Sequence, residues 1–340
     1  MAQYAKDQPA GFINAIERIA IVGAGGTIGT HLLSALHATG KHTITALSRT
    51  PSSSTSTTLP PGVHHAQIDY ADESTLISAL RNQQFLIITL SPTAPRDTHS
   101  KLVRAAAKAG VPYIMPNSYA GDIHHVSLGT ETMMGPPAAA ARKEIEELGM
   151  QWVAVCCGFW YEYSLAGGEA RLGFDFANRA VTIYDDGTTK VSFSSLTQVG
   201  RAVATLLSLK LFPEDESDED LTVSKWLNKP LYVTSFVASQ NEILESVLRV
   251  TGTEAAEWSV SHEASKKRYE EGLALVKKGN MAGFSRLLYA RAFYPEDPGD
   301  CSAKAQNGLL GLPEERLDEF TKVGIEMVQE LQKRPERMAH

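Results

Sequence analysis

Short unbroken apolar runs alternate with longer stretches in which apolar residues recur every three or four positions, and the alternation fills the first half of the chain. Residues 19–22, Ile-Ala-Ile-Val, form the first run. A strand buried on both faces of a parallel sheet reads this way. The next stretch carries His31, Leu32, Leu33, Ala35, Leu36 and His37 up to Gly40, the pattern of an amphipathic helix. The pairing recurs. Strands are predicted at 42–48, 63–68, 85–90, 111–115 and 152–157, and helices at 73–81, 99–109 and 136–148. Gly110 and Gly149 stand where the last two helices should stop. Six strand–helix alternations predict an α/β fold with a doubly wound parallel sheet.

The pattern changes in the second half. Residues 180–184 and 190–193 read as two strands around Asp185-Asp186-Gly187, a hairpin signal. Residues 196–209 read as a helix, 231–236 as a strand, 240–250 as a helix closed by Gly252, and 258–261 as a short strand. Three further helices are expected at 263–278, 282–293 and 317–333. Phe284, Leu287, Leu288, Tyr289 and Phe293 suit either a substrate wall or helical core packing. The expected division is a nucleotide-binding domain at 15–165, with returning segments near 180–210 and 229–236. A smaller C-terminal α+β substrate lobe is expected at 166–333.

Between the first strand and helix lies Gly23-Ala24-Gly25-Gly26-Thr27-Ile28-Gly29. Glycine recurs at 23, 26 and 29, a G-x-x-G-x-x-G spacing; a G-x-G-x-x-G pattern would need glycine where Ile28 stands. Gly23 permits a sharp turn, Gly26 lets backbone approach a diphosphate, and Gly29 lets the helix pack on the strand. The free N–H groups of the helix start, with the helix dipole, then favour an anion. The second strand ends in Ser48-Arg49-Thr50, without the acid that usually holds an NAD ribose. Arg49 favours NADP(H), because a guanidinium pairs bidentately with a phosphate. Lys41 and the hydroxyls of Ser48, Thr50, Ser52, Ser53 and Ser54 are near in sequence. Asp69 and Tyr70 follow the third strand, where an adenine ring would lie; Leu90, Ser91 and Pro92 follow the fourth, and Asn117 the fifth. These positions share the carboxyl edge of the sheet, where open α/β sheets bind ligands. Gly158, Phe159, Trp160, Tyr161 and Tyr163 follow the sixth strand, where aromatics can wall a nicotinamide and substrate pocket.

Charge and composition narrow the partners. The 340 residues carry 32 basic and 39 acidic side chains, a formal charge of −7. That balance argues against direct nucleic-acid or anionic-membrane binding. No apolar run reaches membrane-spanning length, and residues 1–10 lack the features of a signal peptide. Three cysteines, two of them adjacent at Cys156 and Cys157, fit buried thiols in a reducing compartment. The expectation is a cytoplasmic monomer or homodimer acting on a small molecule, with no metal.

The glycine turn, Arg49, Asp69-Tyr70 and Pro116-Asn117-Ser118-Tyr119 together resemble the NmrA-like and isoflavone-reductase-like branch of the atypical short-chain dehydrogenases. Gly158-Phe159-Trp160-Tyr161-Glu162-Tyr163 and Tyr184-Asp185-Asp186-Gly187 look closer still to fungal members described as CipA-like. The resemblance implies an NADP(H)-binding Rossmann domain with a small C-terminal substrate lobe. It further implies hydride delivery from NADPH to an aromatic or secondary-metabolite substrate.

One departure bears on mechanism. The reductases of this branch carry a catalytic lysine on the helix before the sixth strand. Aligned on Gly149, that place falls at Ala138, Ala139 and Ala140, and Lys143 lies about one turn further on. The Tyr-x-x-x-Lys pair of ordinary short-chain dehydrogenases is also missing after Tyr119. Candidate proton donors are therefore Tyr119, Tyr161, Tyr163, His124, His125 and Lys143. Three functions fit: an NADPH-dependent reductase, a non-catalytic NADP(H)-sensing regulator, or a non-redox isomerase or cyclase.

Overall fold

The computed structural model describes residues 3–49, 59–91 and 93–333. In chain order the Rossmann-type alternation appears as β1 (Arg18–Val22), α1 (Thr27–Ala38), β2 (Thr43–Ser48), β3 (His64–Gln67), α2 (Glu73–Leu80), β4 (Phe85–Ile88), α3 (Thr98–Ala109) and β5 (Tyr113–Met115). A short strand β6 (Tyr119–Ala120) and helix α4 (Val126–Glu131) come before α5 (Gly135–Glu147) and β7 (Gln151–Cys156). Then follow β8 (Phe159–Trp160), α6 (Tyr161–Ala166), α7 (Glu169–Leu172), β9 (Phe174–Asp175), β10 (Ala180–Tyr184), β11 (Val191–Ser194) and α8 (Leu196–Leu207). The remainder is β12 (Lys229–Tyr232), β13 (Phe236–Ala238), α9 (Gln240–Thr251), β14 (Ser259–Glu263), α10 (Ser265–Lys277), α11 (Ala282–Ala292) and α12 (Leu317–Lys333).

Contacts group the chain into two compact units, each discontinuous in sequence. The first holds residues 1–118, 138–155 and 197–231; the second holds 119–137, 156–196 and 232–340. Residues 119–137 and 156–165, expected in the nucleotide-binding domain, thus group with the second unit.

The first unit is built on a sheet with strand order β12-β7-β5-β4-β1-β2-β3. Pairings of β1 with β2 and β4, β2 with β3, β4 with β5, and β5 with β7 are all parallel. The order reverses between β1 and β4, which is the switch point of a doubly wound fold. Ile19, Ala20, Ile21 and Val22 are fully buried, as are Phe85, Leu86, Ile87 and Ile88 beside them. Unbroken apolar runs end at the sheet centre because helices cover both faces there. On α1 the buried residues Ile28, Leu32, Leu33 and Leu36 form one stripe; burying each large aliphatic side chain contributes about 1.5–3 kcal/mol.

The second unit has two three-stranded sheets, β14-β10-β9 and β13-β11-β8. Its core gathers Tyr161, Phe174, Phe193, Tyr289 and Phe293 with aliphatic partners from α9. The Asp185-Asp186-Gly187 hairpin is not formed. The turn itself is there, with φ of 52° at Asp185 and 75° at Gly187. However, β10 pairs with β9 and β14, while β11 pairs with β8 and β13. The single strand expected at 231–236 is also two strands, β12 and β13, in different sheets. The short elements β8, α4, α6 and α7 carry too few residues to show a period. Of the alternatives for α11, core packing holds for Leu287, Tyr289 and Phe293, which are buried in the second unit.

Candidate functional site

Parallel strands put all their carboxyl ends on one edge, so the segments that follow β1, β2, β3, β4 and β5 meet there. The turn after β1 is shaped by glycines, and at Gly23 and Gly29 a side chain would collide with backbone. Gly23 has φ of 78°, and a Cβ on it would fall 1.9 Å from the carbonyl oxygen of Thr89. A Cβ on Gly29 would fall 2.1 Å from the carbonyl oxygen of Gly23, and one on Gly26 3.2 Å from that same oxygen. The Gly26 N–H closes the turn onto Gly23 O at 2.9 Å.

The start of α1 is left open. Its N-cap is Gly26, with no side-chain cap and no acid in the first turn. The first N–H groups of a helix have no partner inside the helix. Those at Thr27, Ile28 and Gly29 therefore present positive dipole ends beside the exposed backbone of Gly25 and Gly26. Helices α2 and α9 are closed by Asp72 and Ser239, while α3, α6, α10 and α11 lack a side-chain cap as α1 does. The Ile28 side chain is buried in the core, so only its backbone can serve the cradle.

Along the same edge Arg49 is exposed and makes no ion pair with a described residue. Its charge is felt by Tyr70, whose phenol burial pushes upward in pKa and the guanidinium pulls back. Ser48 is engaged by His65, Oγ to Nε2 at 2.7 Å. Asp69 spends its carboxylate locally, accepting the Ala71 N–H at 2.8 Å. Ser91 Oγ meets Thr93 Oγ1 at 2.8 Å. Thr50, Ser52, Ser53, Ser54 and Pro92 lie outside the described residues.

Asn117 holds neighbouring backbone with its side-chain amide. Its Oδ1 accepts the Leu90 N–H at 3.1 Å, and its Nδ2 donates to Leu90 O at 3.3 Å. Both ends of the amide are thus committed to the loop after β4, and Asn117 shapes that loop. Thr89 lies one step beyond β4, at the end of its apolar run. Its hydroxyl lies 2.8 Å from Val22 O and 3.0 Å from Gly23 O. A threonine at the end of an apolar run carries no signal until the neighbouring strand is known.

Lys143 sits on the solvent side of α5 and pairs with Glu147 at 3.4 Å, one turn along the same helix. Ala139 and Ala140 are exposed. Ala138, Ala139 and Ala140, the positions at which the resemblance leads one to expect a lysine, carry none.

The remaining predicted residues belong to the second unit. Gly158, with φ of 63°, is required by packing: a Cβ there would fall 2.1 Å from Ser192 O on β11. Phe159 stacks on Tyr289 with centroids 4.2 Å apart. Trp160 packs edge-on against Tyr163 at 5.7 Å, with its buried indole N–H toward the Cys157 thiol.

Tyr161, considered a proton donor, is a core residue. Helix α6 turns its ring inward against Phe193 and Phe236, and its hydroxyl meets Thr321 Oγ1 at 2.6 Å. Burial pushes its phenol well above the ordinary range. Tyr163 lies under Arg171, 3.7 Å from the ring centroid. His125 caps α4 through Nδ1 and approaches Pro298 O and Asp297 through Nε2. His124 is exposed. Tyr119 differs from all of these: it is buried, and its hydroxyl has no partner among the described residues. Burial raises its phenol, which keeps it protonated at neutral pH.

A buried acid that the sequence did not suggest lies in the same unit. Glu162 accepts the Leu196 N–H through both carboxylate oxygens at 3.2–3.3 Å. Burial raises its pKa to about 7, against the pull of those hydrogen bonds.

Residues 23–176 match the NAD(P)H-binding family. Over 313 residues the chain is 29% identical to the oxidoreductase aprR of Aspergillus flavus, covering 89% of this chain and 96% of that protein. It is 26% identical over 307 residues to the oxidoreductase poxI of Penicillium oxalicum, covering 87% and 90%. The fold is shared with a solved structure described as AtPrR2 with NADP+ and (+)pinoresinol, at a TM-score of 0.70 and 20% identity. That match covers 92% of this chain and all of the other. An isoflavone reductase structure matches at a TM-score of 0.64 and 19% identity, over 90% of this chain and 98% of its own.

Proposed function

From the premise that this chain carries an NAD(P)H-binding domain, has an isoflavone-reductase-like fold and has fungal oxidoreductases as relatives, we propose that it is an NADPH-dependent reductase of a small aromatic or secondary-metabolite substrate. The observation that carries the cofactor is the open start of α1 at a glycine turn in which Gly23 and Gly29 have no room for a side chain. The N–H groups of Thr27, Ile28 and Gly29 would hold the diphosphate, and Gly25 and Gly26 would let it approach. Arg49 would take the 2′-phosphate, with Ser48 beside it, and Asp69 and Tyr70 would flank the adenine. Leu90 and Ser91, on the loop held by Asn117, would border the ring end.

The bound nicotinamide supplies a hydride to an electrophilic carbon. The chain's own part is to orient the two reactants, exclude water and provide a proton. Tyr119 is the candidate donor, because its buried hydroxyl is unpartnered among the described residues. Atoms and charge then balance: the substrate gains a hydride and a proton while NADPH becomes NADP+. Lys143 and Tyr161 do not enter the proposal.

The test has two stages. Calorimetry with NADPH and NADH on the purified protein should show heat of binding, tighter for NADPH. Turnover should then appear as loss of NADPH absorbance with carbonyl, enone or benzylic-ether substrates. Binding without turnover on any of them would favour the second reading, a non-catalytic NADP(H) sensor, which the alanines at 138–140 support.

A further inference from the structure

We infer that Thr89 is a positioning residue for the dinucleotide diphosphate, acting through the backbone of the glycine turn; this rests on the cofactor site proposed above. Thr89 follows β4, which lies beside β1 in parallel register. Its backbone N–H donates to Val22 O at 3.0 Å, continuing the strand pairing one step beyond β4. Its hydroxyl then reaches across, 2.8 Å from Val22 O and 3.0 Å from Gly23 O. The side chain is buried at 7% exposure, so no water competes freely for that hydrogen.

The one hydrogen of this hydroxyl is shared between two carbonyl groups, Val22 O being held by the Thr89 N–H as well, and the orientation of each carbonyl sets that of an N–H. In a trans peptide the C=O and the following N–H point in opposite directions. Holding Val22 O and Gly23 O toward Thr89 therefore turns the N–H groups of Gly23 and Ala24 away from it. Gly23 O is also fixed from two other sides. It accepts the Gly26 N–H at 2.9 Å, and Gly29 packs against it with no room for a Cβ. Thr89 Oγ1 itself lies 3.0 Å from where that Cβ would stand. The carbonyl oxygen of Gly23, which would repel a phosphate, is thus locked inward by a triangle of Thr89, Gly26 and Gly29.

Without the hydroxyl, Gly23 O keeps the Gly26 N–H and the packing of Gly29 but loses its third anchor. The Gly23–Ala24 peptide is then less tightly held, and glycine has few steric limits on its backbone. Each such rotation points an acceptor at the diphosphate. The proposed effect of Thr89 runs through the orientation of the turn.

Calorimetric titrations of the full chain with NADPH, NADH and adenosine 2′-monophosphate test this. The monophosphate probes the Arg49 end and has no diphosphate. Thr89→Val keeps the shape and removes the hydrogen bonds, and Thr89→Ser restores a hydroxyl. We expect Thr89→Val to raise Kd for NADPH and NADH by the same factor, about fivefold or more for a lost hydrogen bond. The monophosphate Kd should stay within twofold of wild type, and Thr89→Ser should recover dinucleotide binding. The inference is overturned if Thr89→Val binds NADPH as wild type does. It is equally overturned if the monophosphate weakens as much as NADPH, or if Thr89→Ser is as weak as Thr89→Val. A wild-type protein that binds neither dinucleotide would instead sink the cofactor reading itself, which separates the two failures.

Discussion

Arg49 and Thr89 would act on different parts of one ligand, the 2′-phosphate and the diphosphate, and their losses should look different. A guanidinium facing a 2′-phosphate makes a charge-assisted pair that NADH cannot use. Arg49→Ala is therefore expected to weaken NADPH on the order of 2 kcal/mol while leaving NADH nearly unchanged. Parallel binding isotherms for the two cofactors check this; equal losses would show that Arg49 does not face the phosphate. The residue scale is also where sequence reading was least complete. The glycine spacing and Arg49 could be read directly because backbone conformation and charge are properties of single positions. The side-chain partners of Asn117, Thr89 and Tyr161 could not, because each lies on another segment of the chain: Leu90, Val22 and Thr321.

At the scale of elements, the helices divide by how their N-termini are closed. Helix α9 carries a full capping box: Ser239 accepts the Glu242 N–H, and Glu242 accepts the Ser239 N–H at 2.8 Å. Ser239→Ala should cost about 1 kcal/mol, read as a lower denaturation midpoint with an unchanged slope. The open end of α1 has no such closure, and a helix start left bare is where an anion is best placed. Long periodic elements were legible from sequence: α12 was expected and found at 317–333, and α3 and α9 were within one residue of expectation at each end. Strands were legible where both faces are buried, as in β1 and β4. Pairing was not: the turn at Asp185 to Gly187 has hairpin residues, yet its flanking strands join different sheets. Local turn chemistry fixes a chain reversal, while the choice of partner strand is settled by packing far away in sequence.

At the scale of the whole molecule, stability should carry the mark of Glu162. Its carboxyl titrates near 7 in the folded protein, against an ordinary value of 4.5, chiefly because it is buried. The folded state therefore holds this proton more tightly than the unfolded chain does. The resulting stabilisation is complete below the ordinary value, declines as pH rises, and is gone above about 7. Across that window the contribution is roughly 3 kcal/mol, with other groups adding their own slopes. Urea melts of wild type and Glu162→Gln between pH 5 and 8 test this. The expected outcome is a flatter pH dependence in the variant, and identical slopes would contradict it.

The interleaving of the two units has a consequence for the order in which the protein can be made. The first unit's sheet needs β12, and β12 begins only at Lys229, after the second unit has claimed residues 156–196. A fragment ending at residue 196 would lack α8 and β12 and is expected to show no cooperative melting transition. On the ribosome, the nucleotide-binding half would stay unfinished until more than two-thirds of the chain had emerged. During that interval the exposed flank of β7 would be a natural place for a chaperone to hold.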